Sequence, residues 1–208
     1  DNIDLKYSSK KGIKIFKSKT PPSLAVSELV LGLIIDLLRK VSLQNNQLKS
    51  GNWNKLMGSL LSGKTLGIIG FGNIGKSLIK ITQGFNLDYL VFDLIKDKKF
   101  SGLKNLNYCG LNDLLKNSDI ISIHLSMAKD NHEIISKEEF DLMKRDAILI
   151  NTSRGEIIDE KALLYALSNK MIGGVGLDVY QNEPYYGPIK KFDNVILTPH
   201  IGSYAKEI

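Results

Sequence analysis

Apolar residues recur along this chain in two rhythms. From Gly63-Lys64 onward there are short unbroken runs at residues 66–70, 89–93, 120–125, 147–151, 174–179 and 195–197. Unbroken runs, as opposed to alternating ones, are strands covered on both faces, which is the habit of parallel sheets. Between most of them lie helical stretches. One is 73–84. A second, 136–144, opens with a capping box from Ser136 to Glu139. A third, 159–169, has Asp159 placed to cap its first turn. Ahead of all these, residues 13–16 predict a short strand. From Ser23 to about Lys49, Leu24, Leu31, Ile34, Ile35 and Leu38 fall at helical spacing behind Pro21-Pro22. That predicts a long helix broken near Ser42. Trp53 follows in a polar, glycine-bearing loop. Strand and helix in alternation predict an α/β fold with a doubly wound parallel sheet of the Rossmann type.

The stretch "LGIIGFGNIGKSLIK" carries Gly70, Gly72 and Gly75 as G-x-G-x-x-G, directly after a strand and directly into a helix. The first glycine permits the tight turn, the second lets a pyrophosphate near the backbone, and the third lets helix and strand pack closely. The helix start, at Asn73 and Ile74, offers free N–H groups and a positive dipole end to an anion. An acid closes the next strand in "YLVFD", where Asp93 lies 18 residues beyond Gly75. A carboxylate there accepts from two ribose hydroxyls and repels a 2′-phosphate, so the reading is a dinucleotide site for NAD ahead of NADP.

Three later motifs fall at the carboxyl ends of strands, where ligands of such sheets gather. "AILINTSRGEIID" puts Arg154 past one strand. "GVGLDVYQNEP" puts Asp178 at the end of the next, with Glu183 in the following loop. "VILTPHIG" puts His200 past the last. Arginine offers a planar fork to a carboxylate. Histidine exchanges a proton near neutral pH, and a glutamate beside it favours the imidazolium. With a hydride carrier, this set can reduce a 2-keto acid: Arg154 holds the carboxylate and polarises the carbonyl, and His200 supplies the proton. Taken singly, each has a plainer explanation, a surface pair with Glu156 for Arg154 and a turn before Pro184 for Glu183. His124, embedded in "ISIHLSM", reads as structural, and His132 as exposed.

Composition narrows the classes. The chain has 208 residues, 43% hydrophobic and 24% charged, enough for a core. Its longest apolar run, 29–38, is interrupted by Asp36 and too short for a bilayer, and no signal-peptide pattern is present. A single cysteine, Cys109, makes no disulfide and no zinc cluster, so no metal is expected and a reducing cytoplasm fits. The net charge of +6 is scattered over the chain. Its densest cluster, 96–99, has no interleaved aromatics, which argues for a solvated surface and against a nucleic-acid partner.

Taken together, "DNID", "AVSELVLGLIIDLLRK", "GKTLGIIGFGNIGK", "INTSRGEIID", "GVGLDVYQNEP" and "TPHIG" resemble the D-isomer-specific 2-hydroxyacid dehydrogenases over essentially the whole length. The resemblance implies Arg154, Glu183 and His200 as the catalytic three. It implies a cofactor site of Gly70, Gly72, Asn73, Ile74, Gly75, Asp93, Thr152, Asp178, His200 and Gly202, with Asp178 and the backbone at Thr152 at the nicotinamide end. One departure is Ser126 in "HLSM", where relatives commonly have proline. Within the family, "SELVLGLIIDLLRK" and "TPHIGSYAKEI" look most like the phosphoglycerate dehydrogenases, which implies oxidation of 3-phosphoglycerate for serine biosynthesis. Glyoxylate/hydroxypyruvate reductases and D-lactate dehydrogenases share most of the motifs. NAD(H)-sensing corepressors resemble them too, and a methyltransferase with the same glycine turn would leave Arg154, Glu183 and His200 unexplained together. The family arrangement implies that residues 21–200 form the NAD-binding domain. Residues 1–20 and 201–208 would then be stubs of a split, flavodoxin-like substrate domain, as in a truncated chain. It also implies a homodimer built on the long helix and the Trp53 loop.

Overall fold

A computed structural model describes residues 3–16, 21–100, 102–126 and 129–208. Among these, seven strands form one sheet: β1 (Thr65–Ile69), β2 (Asp88–Phe92), β3 (Leu106–Tyr108), β4 (Ile120–Ile123), β5 (Ile148–Asn151), β6 (Gly174–Leu177) and β7 (Val195–Leu197). Their order is β3-β2-β1-β4-β5-β6-β7, and every neighbouring pair is parallel. The chain runs outward from β1 to one edge, returns to β4 and runs to the other. That reversal opens a crevice at the carboxyl ends of β1 and β4.

Both faces are covered, as the unbroken apolar runs require. On one face α2 (Ser23–Arg39) and α4 (Asn73–Thr82) bury Val30, Leu33, Ile34, Leu78 and Ile79 against Leu66 and Ile68. On the other, α5 (Leu111–Asn117), α6 (Lys137–Leu142) and α7 (Glu160–Ser168) bury Leu114, Phe140 and Leu163 against Ile69, Ile121 and Leu149. Ile68 and Ile69 are neighbours in β1 yet enter opposite cores, the two-residue period of a strand. The caps read from the sequence are present. Ser136 and Glu139 form the capping box of α6, and the Asp159 carboxylate accepts the Lys161 and Ala162 N–H groups at 2.8 and 3.3 Å.

One expectation is corrected, and two features refine the sequence reading. Residues 13–16 form no strand; they run without regular structure behind α1 (Leu5–Lys10). β3 was not anticipated, being three residues at the sheet edge. The long helix breaks at Lys40, which takes a left-handed φ of 54°, and resumes as α3 (Val41–Lys49). Asp36 stabilises the restart, accepting the Ser42 N–H at 2.7 Å and the Ser42 hydroxyl. Trp53 lies in an irregular segment and is 78% exposed. Asp1, Asn2, residues 17–20 of the expected first stub, and Met127 of the "HLSM" departure lie outside the described residues. Among the described residues, no helix is long and apolar enough to cross a membrane, and no cluster of His, Cys, Asp and Glu could hold a metal ion.

Candidate functional site

The glycine turn sits over the crevice. Gly70 takes φ +94°, and a β-carbon there would lie 2.8 Å from the main chain of His124 at the end of β4. The turn therefore demands glycine twice over, for its φ and for the close approach. At Gly75 a β-carbon would meet the Gly70 carbonyl oxygen at 2.9 Å, so α4 seats directly on the turn. Gly72 differs. Among the described residues, nothing beyond its own chain neighbours lies within 4 Å of where its β-carbon would be. The space above it is open to an incoming group.

Among the described residues no side chain caps α4, and its first internal bond runs from the Lys76 N–H to the Gly72 oxygen at 3.1 Å. The N–H groups of Asn73, Ile74 and Gly75 come before that bond and face the opening as the helix's positive end. An uncapped N-terminus under open space fits the pyrophosphate of a dinucleotide.

Asp93 is not a free carboxylate. It accepts the Phe71 N–H at 2.6 Å and the Ile95 N–H at 2.8 Å, so it braces the glycine turn from the neighbouring strand. Each oxygen retains a lone pair for a hydroxyl. Beside it, Lys76 pairs with Asp97 at 2.7 Å, and the Lys76 hydrogen bond holds the Asp97 carboxyl below the usual carboxylate range.

The ends of β4 and β5 bring two buried polar atoms to the same edge, since Ile123 and Asn151 are register partners and His124 and Thr152 follow them. The Thr152 hydroxyl and His124 Nδ1 are shut off from solvent, with no hydrogen-bond partner among the described residues. His124 Nε2 lies 2.9 Å from the Ser122 hydroxyl, and burial pushes the ring's pKa down to about 4. His124 is therefore neutral at physiological pH. An unmet hydroxyl beside the crevice is where a ligand amide or hydroxyl would be accommodated.

Asn151 shapes the loop that follows. Its carbonyl oxygen accepts the Ser153 N–H and hydroxyl at 3.0 and 2.8 Å, and its amide donates to the Arg154 oxygen at 2.8 Å. The loop then crosses the main chain of Tyr180 and Gln181 at Gly155, where a β-carbon would lie 1.9 Å from the Tyr180 carbonyl carbon. Arg154 leaves this crossing with its guanidinium donating to the Ser153 oxygen at 2.6 Å.

Glu183 and His200 meet at the ends of β6 and β7. His200 Nδ1 lies 2.8 Å from Glu183 Oε2, both half-exposed, with His132 far less constrained and exposed beside Glu133. Burial acts to raise the Glu183 carboxyl. The hydrogen bonds from His200 and the Tyr180 N–H, with the charges of His200 and Arg154, outweigh it and hold the group below the usual carboxylate range. His200 takes a left-handed φ of 56°. Asp178 explains how that turn is held. Its buried carboxylate accepts the Thr198 hydroxyl at 2.6 Å and the Ile201 and Gly202 N–H groups at 2.8 Å each.

So the structure brings Glu183 and His200 into contact, sets Arg154 within electrostatic reach of Glu183, and places the glycine turn at the same end of the sheet. It turns Asp178 and the Gly202 N–H toward each other. Sequence reasoning passed over Asn151, Thr198 and Tyr180, although they stand inside the motifs "INTSRG", "TPHIG" and "GVGLDVYQNEP".

Residues 31–202 match the sequence profile described as "D-isomer specific 2-hydroxyacid dehydrogenase, NAD binding domain". The chain is 37% identical to a glyoxylate reductase of Thermococcus litoralis over 100% of its own length and 66% of that protein's. It is 36% identical to a D-3-phosphoglycerate dehydrogenase of Methanocaldococcus jannaschii over 100% of its own length and 40% of that protein's. Among solved structures, D-lactate dehydrogenase from Aquifex aeolicus, complexed with NAD and lactic acid, superposes with a TM-score of 0.87 at 32% identity. That match covers 100% of this chain and 68% of the other. The chain thus spans just under two thirds of the glyoxylate reductase it resembles. NAD is the cofactor of this domain, and the uncapped α4 with the open space over Gly72 fits the pyrophosphate of such a dinucleotide.

Proposed function

The chain belongs to the D-isomer specific 2-hydroxyacid dehydrogenase family, and we propose that it is the cofactor-binding part of an enzyme that interconverts a 2-hydroxy acid and its 2-oxo acid. The observation that carries this is the 2.8 Å contact between His200 Nδ1 and Glu183 Oε2 at the same sheet end as the glycine turn.

Bound NAD supplies the hydride acceptor. With Nδ1 given to Glu183, His200 keeps Nε2 for the substrate. In oxidation, Nε2 would take the proton of the C2 hydroxyl as the hydride of C2 passed to the acceptor that NAD would supply. In reduction, the imidazolium returns that proton to the carbonyl oxygen. Glu183 holds the ring's orientation and stabilises its positive charge. Arg154 grips the substrate carboxylate and polarises the C2 oxygen. On the cofactor side, Asn73, Ile74 and Gly75 N–H groups meet the pyrophosphate. Asp93 receives the adenosine ribose, and Thr152 borders the nicotinamide end with Asp178 and Gly202 behind it.

Glyoxylate and hydroxypyruvate are the favoured oxo acids, because the glyoxylate reductase likeness covers most of that relative. The 36% identity to a phosphoglycerate dehydrogenase keeps 3-phosphoglycerate as the second reading. Residues 21–200 act as the NAD-binding domain. Residues 1–20 and 201–208 belong to a substrate domain, a reading supported by apolar side chains left in water, Phe16 at 88% and Tyr204 at 86% exposure. The exposed Trp53, Met57 and Leu60 mark a homodimer face, and sedimentation of the full-length protein as a single copy would refute that. An NADH-oxidation assay of the full-length protein with glyoxylate, hydroxypyruvate, 3-phosphohydroxypyruvate and pyruvate tests the activity. Turnover of none of them would sink it.

A further inference from the structure

We propose that Tyr180 is the positioning residue of the Glu183–His200 pair, holding Glu183 through its main-chain N–H and the approach to His200 through its phenol. The functional consequence rests on the dehydrogenase reading above; the geometry does not.

Tyr180 lies three residues past β6. Its N–H donates to Glu183 Oε1 at 3.1 Å, leaving Oε2 for His200. Its hydroxyl points the other way. It donates to the Thr198 carbonyl oxygen at 2.9 Å, with a longer contact to the Leu177 oxygen at 3.2 Å. One residue therefore grips both members of the pair. One grip is on the Glu183 side chain, and the other is on the main chain two residues before His200.

The second grip answers a need. Among the described residues β7 is an edge strand paired only with β6, and Pro199 brings no N–H to anchor the chain beyond it. Thr198 is held instead on three sides. Its N–H goes to the Leu177 oxygen at 2.9 Å, its hydroxyl to Asp178, and its carbonyl receives Tyr180. Past His200, Asp178 secures Ile201 and Gly202. The left-handed turn at His200 is thus clamped before and behind.

The phenol's aim is itself fixed. The Tyr180 ring stacks on Tyr185 with centroids 4.6 Å apart and planes at 16°. Tyr185 is pinned in turn, donating to Glu160 at 3.1 Å and accepting the Ile189 N–H at 3.2 Å. Burial, with the nearby Asp178 and Glu183 charges, pushes the Tyr180 phenol well above the usual tyrosine range. It keeps its proton, and remains a donor, throughout the working pH.

The test is Tyr180→Phe in the full-length protein, which keeps the ring and its stack and removes only the hydroxyl. With the carboxyl carbons of glutamate labelled, the Glu183 titration midpoint is expected to rise toward the ordinary carboxylate value as its contact with His200 loosens. Oxo-acid reduction is expected to lose about tenfold in kcat, the scale of a sub-ångström misplacement, with KM for NADH changed less than twofold. In a Glu183→Gln background, Y180F should cost less than twofold, because the pair it aligns is already broken. Tyr165→Phe, on the exposed side of α7, serves as the control for a lost hydroxyl. In the unsubstituted protein, the Tyr180 hydroxyl proton should exchange slowly with water, which probes the bond without any change of sequence. An unmoved Glu183 midpoint, or fast exchange of that proton, overturns the clamp. A moved midpoint with undiminished kcat overturns its role in the reaction. If the unsubstituted protein turns over none of the oxo acids, the activity reading fails while the titration still decides the clamp.

Discussion

The Asp93 carboxylate accepts the backbone N–H of Phe71 at 2.6 Å, so the acid at the end of β2 is also a strut of the glycine turn at the end of β1. The two duties predict two separable effects. Asp93→Ala should lose about ten- to a hundredfold in NADH affinity, since a hydrogen bond to a charged group is worth roughly 1.5–3 kcal/mol. It should also narrow the preference over NADPH. Asp93→Asn keeps an acceptor for the Phe71 N–H and should lose the preference with less loss of NADH affinity. Fluorescence titration of each variant with both cofactors checks this. An unchanged preference in both would place the selection elsewhere.

Gly155 is required for packing. A β-carbon there would lie 1.9 Å from main-chain atoms that no rotamer change can move. Gly155→Ala should destabilise the protein by about 3 kcal/mol, the upper range for forced overpacking. It should also disturb Arg154, the residue before it. Urea unfolding measures the first, and a near-normal midpoint would show that the two loops part easily.

His124 gives the fold a defined pH dependence. Its Nδ1 is shut off from solvent although the residue as a whole is only partly buried, and its pKa falls to about 4. In the unfolded chain it titrates near the usual value of about 6.5. Between those values the unfolded state binds the extra proton, so stability is full above about pH 6.5 and falls as pH drops toward 4. By pH 4.5 the loss from this group is on the order of 2 kcal/mol. His124→Gln should remove that component. Urea unfolding of both proteins at pH 7 and 4.5 tests it, and parallel losses in the two would mean that His124 is not the cause.

How much of this could be read from residues alone follows from where the information lies. Six strands announce themselves because each is an unbroken apolar run, and in β1, β4, β5 and β6 nearly every residue is buried. β3 does not, since Leu106-Asn107-Tyr108 is an edge strand with one buried side chain. Residues 13–16 carry the opposite lesson, because apolar residues make a strand only where a partner edge exists. The helix break is visible as a polar interruption, but its exact place is set by Asp36 reaching Ser42. Arg154, Glu183 and His200 stand out because strand ends and short motifs mark them. The inward turn of Asp178 does not, because its partners lie 20 to 24 residues away and only β6–β7 pairing brings them together. The same holds for Tyr180, whose ring could as well have been filler.

The most direct test of the proposed activity is His200→Ala in the full-length protein, assayed for NADH oxidation with glyoxylate and hydroxypyruvate alongside an NADH-binding titration. Removing a general acid–base group predicts a fall in kcat of about 10²–10⁴-fold, with NADH affinity changed by less than about twofold. Turnover comparable to the unsubstituted protein would contradict the assignment of His200 as the proton donor, and with it the reading of the His200–Glu183 contact as the centre of the reaction.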